Sequence, residues 1–265
     1  MGHCLAGRRI VITRPVAQAQ AFAQRVREAG GEPVLFPLLE ITALEQPDAL
    51  QQAASFLRKQ AAAPAEQSRG LTFFVSPNAV HFAMRELPHP PAWPAGWSVS
   101  TVGPSSEAAL AQYGFARIIA PQDAFDSEAV LRLPEMQEAV VSDQTVLIFR
   151  GEGGRELLGD TLQQRGAQVR YIPCYRRSCP VDSAAPLLAQ HQQQALDALT
   201  LTSSEGVSYL GGLLGRAGIQ LLQQVPVFVP HVRIAQAAQR LGFQQVELTA
   251  GADQGLWDGL CAYFS

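Results

Sequence analysis

The chain has 265 residues, of which 47% are hydrophobic and 16% charged, and its formal net charge is −3. This composition is typical of a globular protein with well-developed cores and excludes a largely disordered chain. The mild negative charge gives no broad attraction to nucleic acid or to an anionic membrane surface, and the chain has no run of about 18 apolar residues that would predict a transmembrane helix.

Apolar runs typical of strands alternate with amphipathic stretches typical of helices. Residues 17–30 and 155–166 each place apolar side chains on one helical face and end at a glycine. Strands separated by helices of about 10–15 residues are typical of βαβ units, so the sequence predicts an α/β fold with parallel, doubly wound, flavodoxin-like sheets. The predicted strands cover residues 9–13, 32–36, 71–75, 98–102, 116–120, 145–149, 167–172, 196–201, 225–229 and 245–248.

The chain contains two similar halves. Residues 10–40 align with 146–176 at a constant offset, which places Arg14 on Arg150. FVSPNAV at 74–80 likewise resembles LTSSEGV at 201–207. A repeat of this length indicates domain duplication rather than a solenoid. Two similar lobes imply a cleft between them, where small-molecule sites are often found.

Two apolar runs are interrupted by proline at equivalent places in the halves, at Pro37 and Pro173. Proline cannot donate to a strand ladder, so we expect both runs to leave one sheet and to cross between the lobes. The predicted domains are therefore a discontinuous lobe and an inserted lobe, joined by two linker strands. Their bounds are 1–38 plus 177–265 for the first lobe, 43–172 for the second, and 39–42 and 173–176 for the linkers.

Several predicted strands run directly into helix starts rich in hydroxyl groups and glycine. Free N–H groups and the positive end of the helix dipole make such starts suitable for carboxylate or phosphate. Each could also be an ordinary helix cap, but several in two matching lobes favour a site for a polyanion. The residues concerned are Ser76 and Asn78, Gly103, Ser105 and Ser106, Gly151 with Arg155, and Ser203 with Ser204.

Other motifs for catalysis are sparse. Dinucleotide, P-loop, nucleophile-elbow and zinc-protease motifs are absent, which argues against nucleotide binding, and the histidines have no metal spacing. His231 follows a strand at the predicted cleft edge, and Arg14 and Arg150 each end the first strand of a half; ligand contact and a structural role remain open for all three. Tyr175, in the second linker, could face the cleft or pack in a core.

The four cysteines, Cys4, Cys174, Cys179 and Cys261, fit no common zinc or redox spacing. We interpret them as structural or inert thiols. Together with a start that lacks the layout of a signal peptide, they favour a reduced, cytoplasmic setting.

In order and spacing, the motifs resemble the uroporphyrinogen-III synthase family across nearly the whole chain. The segments that carry the resemblance are ITRP (12–15), FVSPNAV (74–80), TVGPSSEAAL (101–110), FRGEGGRELLGDTLQQRGAQVRYIPCYRR (149–177), LTLTSSEGV (199–207) and VPHVRIAQAAQRLGF (229–243). The family has two flavodoxin-like lobes joined by two strands, and its reaction closes linear hydroxymethylbilane to uroporphyrinogen III with loss of water and inversion of ring D. It uses no metal or organic cofactor, and its substrate carries eight carboxylates.

The resemblance also implies roles for individual residues. Tyr175 matches the family tyrosine thought to assist departure of the hydroxyl. Three turns match carboxylate-binding positions: Ser76 with Asn78 and Ala79, Ser105 with Ser106, and Ser203 with Ser204. The family often has a threonine where this chain has Val232, so either His231 replaces that contact or only backbone N–H groups serve there.

The resemblance further suggests a monomer, and it allows transient contact with the enzyme that forms hydroxymethylbilane. Two other functions stay open from the sequence. One is a two-lobe binding protein for a small anion, and the other is a regulatory domain derived from the synthase fold.

Overall fold

The structure is a computed structural model and describes residues 3–265. These residues form two compact units, one containing the residues up to Ile41 with Ser178–Ser265 and the other containing Thr42–Arg177. In chain order the elements are β1 (Arg9–Ile12), α1 (Val16–Glu28), β2 (Glu32–Leu35), β3 (Glu40–Ala43), α2 (Asp48–Ala61), β4 (Gly70–Phe74), α3 (Pro77–Ala83), β5 (Trp97–Thr101), α4 (Pro104–Gln112), α5 (Ser127–Arg132), a 3-10 turn (Pro134–Met136), α6 (Glu138–Val141), β6 (Thr145–Gly151), α7 (Leu157–Gln164), β7 (Gln168–Ser178), α8 (Ala185–Gln192), β8 (Ala198–Thr200), α9 (Ser204–Leu222), β9 (Val227–Val229), α10 (Val232–Leu241), β10 (Val246–Leu248) and α11 (Ala252–Phe264).

The first unit is built on a sheet with strand order β10-β9-β8-β1-β2, in which every pairing is parallel. Because side chains alternate across a strand, Ile10 and Ile12 face α1 and α11, where Phe22 and Leu256 complete a core. Val11 points to the opposite face, into the core built largely by α9 and α10. Both faces of the sheet are therefore covered by helices, as the doubly wound prediction requires.

The second unit has the strand order β3-β7-β6-β4-β5, and β5, β4, β6 and β7 pair in parallel. Phe73 and Ile148 face α5 and α7 in one core. Phe74 and Phe149 point to the other face and stack with ring centroids 4.8 Å apart. The prediction of two parallel, helix-covered sheets is thus confirmed.

Two details of the strand prediction are wrong. The strand expected at 116–120 is reduced to one parallel bridge between Ser100 and Ile119; Pro121 follows at once and cannot extend the ladder. The run through Pro173 was expected to leave the sheet there, but β7 continues to Ser178. The ladder tolerates this proline because the pairing with β6 shifts by one residue immediately after it.

The interpretation of all four cysteines as structural or inert thiols is wrong for two of them, since Cys4 and Cys261 form a disulfide with Cα atoms 5.2 Å apart. They are 257 residues apart in sequence, so local spacing carried no sign of the pairing. Cys174 and Cys179 are free. Among residues 3–265, no helix is both long and apolar enough to cross a bilayer.

Cys174 is expected to resist alkylation in the folded protein. Burial raises the pKa of its thiol to about 12, so the reactive thiolate is a very small fraction near pH 8. Titration with a thiol reagent should label Cys179 first, and Cys174 only at rates set by unfolding. Peptide mapping that finds both free thiols labelled equally fast in native protein would contradict this expectation.

Candidate functional site

A bulge in the second sheet determines where Tyr175 points. Arg150 pairs with Pro173, but the next residue of β6, Gly151, pairs with Tyr175 instead of Cys174. A one-residue shift exchanges the faces to which side chains point. The bulge therefore brings the Tyr175 ring over Gly151, on the sheet face that also carries Phe149.

Tyr175 is only 1% exposed, and its phenol is surrounded on several sides. The ring stacks on Phe82 of α3 at a centroid distance of 5.6 Å. Its Oη lies 3.2 Å from Ser76 Oγ, and Arg177 Nη2 donates to the same oxygen at 3.4 Å. These contacts fix the direction of the Tyr175 O–H group. They also place the Arg177 guanidinium beside the oxygen that becomes negative when the proton leaves.

Ser76 links the phenol to the start of α3. It follows β4 with an extended backbone, and its Oγ accepts a hydrogen bond from Ala79 N at 3.1 Å. Pro77 occupies the first turn, where its missing N–H costs nothing. The predicted cap is therefore present, and one hydroxyl serves both the helix start and Tyr175. Asn78 is half-buried in the first turn.

The corresponding start in the first unit has the same local structure. Ser203 caps α9, accepting a hydrogen bond from Gly206 N at 2.9 Å, and Ser204 is exposed in the first turn. At the start of α10, His231 is the cap and its Nδ1 accepts a hydrogen bond from Arg233 N at 3.1 Å. His231 thus takes a capping role through its ring, and Val232 stands exposed beside it.

The start of α4 contains an unpaired hydroxyl. Gly103 caps the helix, and an added Cβ there would lie 2.7 Å from the ring of Phe125. Ser105 is exposed, whereas Ser106 is fully buried and its Oγ has no hydrogen-bond partner. Burying an unpaired hydroxyl costs roughly 1–3 kcal/mol.

Replacing Ser106 by alanine is therefore expected to raise the free energy of unfolding by about 1 kcal/mol beyond any gain in helix propensity. Ser105→Ala is the matched control, because it makes the same chemical change one residue away on an exposed position. Urea denaturation of both variants measures the difference. A Ser106→Ala protein less stable than Ser105→Ala would contradict the prediction.

The equivalent arginines of the two halves have different surroundings. In the first unit, Arg14 Nη1 donates to both carboxylate oxygens of Asp253 at 2.7 and 2.9 Å, and the guanidinium lies over the Phe22 ring. In the second unit, Arg150 lies over the Tyr171 ring and donates to Gly153 O. Arg150 and Gly151 are consecutive in β6, so Arg150 points to the face opposite Tyr175.

The structure thus separates the predicted site residues of the second unit into two groups. Ser76, Gly151 and Tyr175 come together on one face, and Arg150 and Arg155 line a cavity on the other. Sequence reasoning missed Phe82 and Arg177 as neighbours of the phenol. The only available signal was their position, since Phe82 lies one turn into the helix that Ser76 caps and Arg177 lies two residues beyond Tyr175.

Fold and site together define a class of protein: a two-unit, doubly wound α/β protein with a buried tyrosine held beside a serine-capped helix start near the end of a parallel sheet. A family model described as uroporphyrinogen-III synthase HemD matches residues 20–254. The uroporphyrinogen-III synthase of Escherichia coli (strain K12) is 32% identical over 246 residues, covering 92% of this chain and 96% of that protein. The chain belongs to the uroporphyrinogen-III synthase family, and it is an enzyme of the hydro-lyase type.

Solved structures agree on the fold. A mutant uroporphyrinogen III synthase from the extremely thermophilic bacterium Thermus thermophilus superimposes with a TM-score of 0.63 at 16% identity, covering 97% of both chains. Uroporphyrinogen-III synthetase from Helicobacter pylori 26695 gives a TM-score of 0.55 at 13% identity, covering 97% of this chain and 99% of the other. The similarity therefore extends over both units.

Proposed function

We propose that this chain closes hydroxymethylbilane to uroporphyrinogen III with loss of water and inversion of ring D, and that Tyr175 supplies the proton for the departing hydroxyl. The observation that carries the proposal is the buried phenol held between Ser76 and Arg177, in a chain of the synthase family. The phenol is the group that a dehydration needs, because hydroxide is a poor leaving group unless it is protonated as it departs.

The first step is a proton transfer coupled to C–O cleavage. The Tyr175 O–H gives its proton to the substrate hydroxyl, the C–O electron pair leaves with the oxygen, and water departs. The remaining carbon is a cation stabilised by its pyrrole. The negative charge that forms on Tyr175 Oη lies beside the Arg177 guanidinium, which favours the phenolate.

Ring closure then depends on positioning. The substituted carbon of ring D attacks the cation to give a spiro intermediate, which reopens and closes with ring D inverted. The ring carbon that forms the last bond then loses its proton, which restores the Tyr175 phenol. Holding a flexible chain in the geometry for this attack is a proximity effect and can supply much of the rate enhancement. We propose that the serine-rich helix starts at Ser76, Ser105 and Ser203 bind substrate carboxylates for this purpose. The neighbouring residues proposed to contribute to this binding are Ser106, Ser204, Asn78, Ala79, Gly103, His231 and Val232.

Arg177 is proposed to act as a positioning residue through Tyr175. Arg177→Gln keeps a polar side chain but removes the cation from the phenol oxygen, so we expect kcat to fall by about tenfold with little change in KM. In a Tyr175→Phe background the same replacement should cost almost nothing, because the oxygen that it serves is gone. Equal losses in the two backgrounds would show that Arg177 acts independently of Tyr175.

We further propose that the chain works as a cytoplasmic monomer and receives its unstable substrate by transient contact with the enzyme that makes it. The lobes 1–38 plus 177–265 and 43–172 are proposed as its functional domains, with linkers at 39–42 and 173–176. Sedimentation of the purified protein at micromolar concentration tests the monomer, since a dimer would sediment at twice the mass.

A coupled assay tests the proposed function. Hydroxymethylbilane is generated in situ, the products are oxidised, and uroporphyrins I and III are separated by chromatography. Predominantly type III product supports the proposal, because uncatalysed closure gives type I. Only type I from folded protein would favour instead a non-catalytic anion-binding or regulatory role for this fold.

A further inference from the structure

The duplication supplies an internal comparison for a buried arginine. Arg14, just after β1, and Arg150, near the end of β6, occupy equivalent positions in the two halves, and each lies over an aromatic ring. In the first unit a carboxylate from the first turn of α11, Asp253, neutralises Arg14. In the second unit, helix α5 stands at the corresponding place. Its cap Asp126 and its first-turn Glu128 are exposed and form no ion pair with Arg150, and the half-buried Ser127 lies between them.

Arg150 is only 7% exposed, yet no carboxylate among residues 3–265 lies within ion-pair distance of it. Its side-chain hydrogen bond goes to the backbone oxygen of Gly153. Asp160 and Glu156 add to the effect of burial in raising the pKa of Tyr171, but both are exposed. A buried guanidinium without a counter-charge is costly, and such cations are normally paired.

A cavity lies at this position. It has a volume of about 80 Å³ and is lined by Arg150, Arg155 and Ser127 together with Tyr171 and apolar residues of β4, β6 and α7. On the same measure one water needs roughly 10–15 Å³, so the cavity has room for a group the size of a carboxylate or phosphate. Two guanidinium groups and a hydroxyl are the donors that such an oxyanion requires.

We propose that this cavity, which we call the Arg150 pocket, is a binding site for a small oxyanion that takes the place that Asp253 holds in the first unit. Its occupant is either a free anion such as phosphate or one carboxylate of the substrate. The pocket lies on the sheet face opposite Tyr175, so the oxyanion acts at a distance from the phenol, through β6, which carries both Arg150 and Gly151.

Ser127→Asp gives the sharpest test, because it places a carboxylate at the position of α5 that lines the pocket, which neither Asp126 nor Glu128 does. Thermal unfolding is followed in sodium phosphate and in sodium chloride at equal ionic strength. We expect phosphate to raise the midpoint of the unmodified protein. Ser127→Asp should unfold at a higher midpoint in chloride and gain nothing from phosphate.

Calorimetric titration with inorganic phosphate, in the absence of substrate, measures the affinity. Arg150→Gln should weaken binding at least about tenfold, while Arg117→Gln, at an exposed position on the same unit, should leave it unchanged. No phosphate binding by the unmodified protein, or equal binding by Ser127→Asp, would overturn the proposal even if Arg150→Gln failed to fold. These measurements need no turnover, so their failure is distinct from failure of the synthase assay.

Inhibition kinetics distinguish the two sources of the oxyanion. Phosphate that competes with hydroxymethylbilane would identify the occupant as a substrate carboxylate, an outcome that also rests on the proposed function. Phosphate that binds without competing would identify a free anion as the occupant.

Discussion

Replacing Tyr175 by phenylalanine is expected to lower kcat by about a hundredfold to ten-thousandfold, the usual range for loss of a positioned general acid. The replacement removes one oxygen and leaves the ring that packs on Phe82. Ser76 Oγ keeps its hydrogen bond from Ala79 N, so no buried hydroxyl is left without a partner. KM and the free energy of unfolding should therefore change little, the latter by roughly 1 kcal/mol.

The matched control is Tyr113→Phe. Tyr113 belongs to the same unit, and its hydroxyl contacts His81 Nδ1 at 3.3 Å and not the Tyr175 hydroxyl. Both variants are assayed for kcat, KM and the ratio of uroporphyrin III to uroporphyrin I. If Tyr175→Phe retains the kcat of the unmodified protein, the phenol does not supply the proton and the proposed first step is wrong.

Much of the fold could be read from the sequence because its signals are local. Nine of the ten predicted strands overlap strands observed among residues 3–265. Ser76 and Ser203 could be recognised as helix caps because a cap acts over only three residues. The tenth predicted strand, at 116–120, failed because its propensity had no ladder to join beyond Ile119.

The geometry of the site depends on features that sequence patterns do not encode. The bulge after Pro173 changes the pairing by one residue, and either register fits the alternation of YIPCYRR equally well. The role of Gly151 under the Tyr175 ring follows only from that register. The contrast between Arg14 and Arg150 was equally hidden, because Asp253 and Arg14 are separated by nearly the whole chain.

The second large effect is expected from Gly151→Ala. A Cβ at this position would lie 2.7 Å from Tyr175 Cε2 and 2.9 Å from Cζ, well inside van der Waals contact. The ring cannot move away freely, because it is buried and Phe82 covers it. The added methyl should therefore push the phenol away from Ser76, and a displacement of about 1 Å in a catalytic group can lower the rate about a hundredfold.

Overpacking of this kind should also cost roughly 1–3 kcal/mol of the free energy of unfolding, so activity is compared at a temperature where both proteins are folded. Gly212→Ala is the matched control, since it makes the same change in helix α9 with no atom within 4 Å of the new Cβ. Its kcat should equal that of the unmodified protein.

The Gly151→Ala and Tyr175→Phe variants separate two causes of lost activity. Gly151→Ala keeps the phenol that Tyr175→Phe removes. A large fall in the kcat of Gly151→Ala would therefore show that the direction of the O–H group, set by the bulge, matters as much as its presence. A Gly151→Ala enzyme with full kcat would mean that the phenol acts from a position other than the one over Gly151.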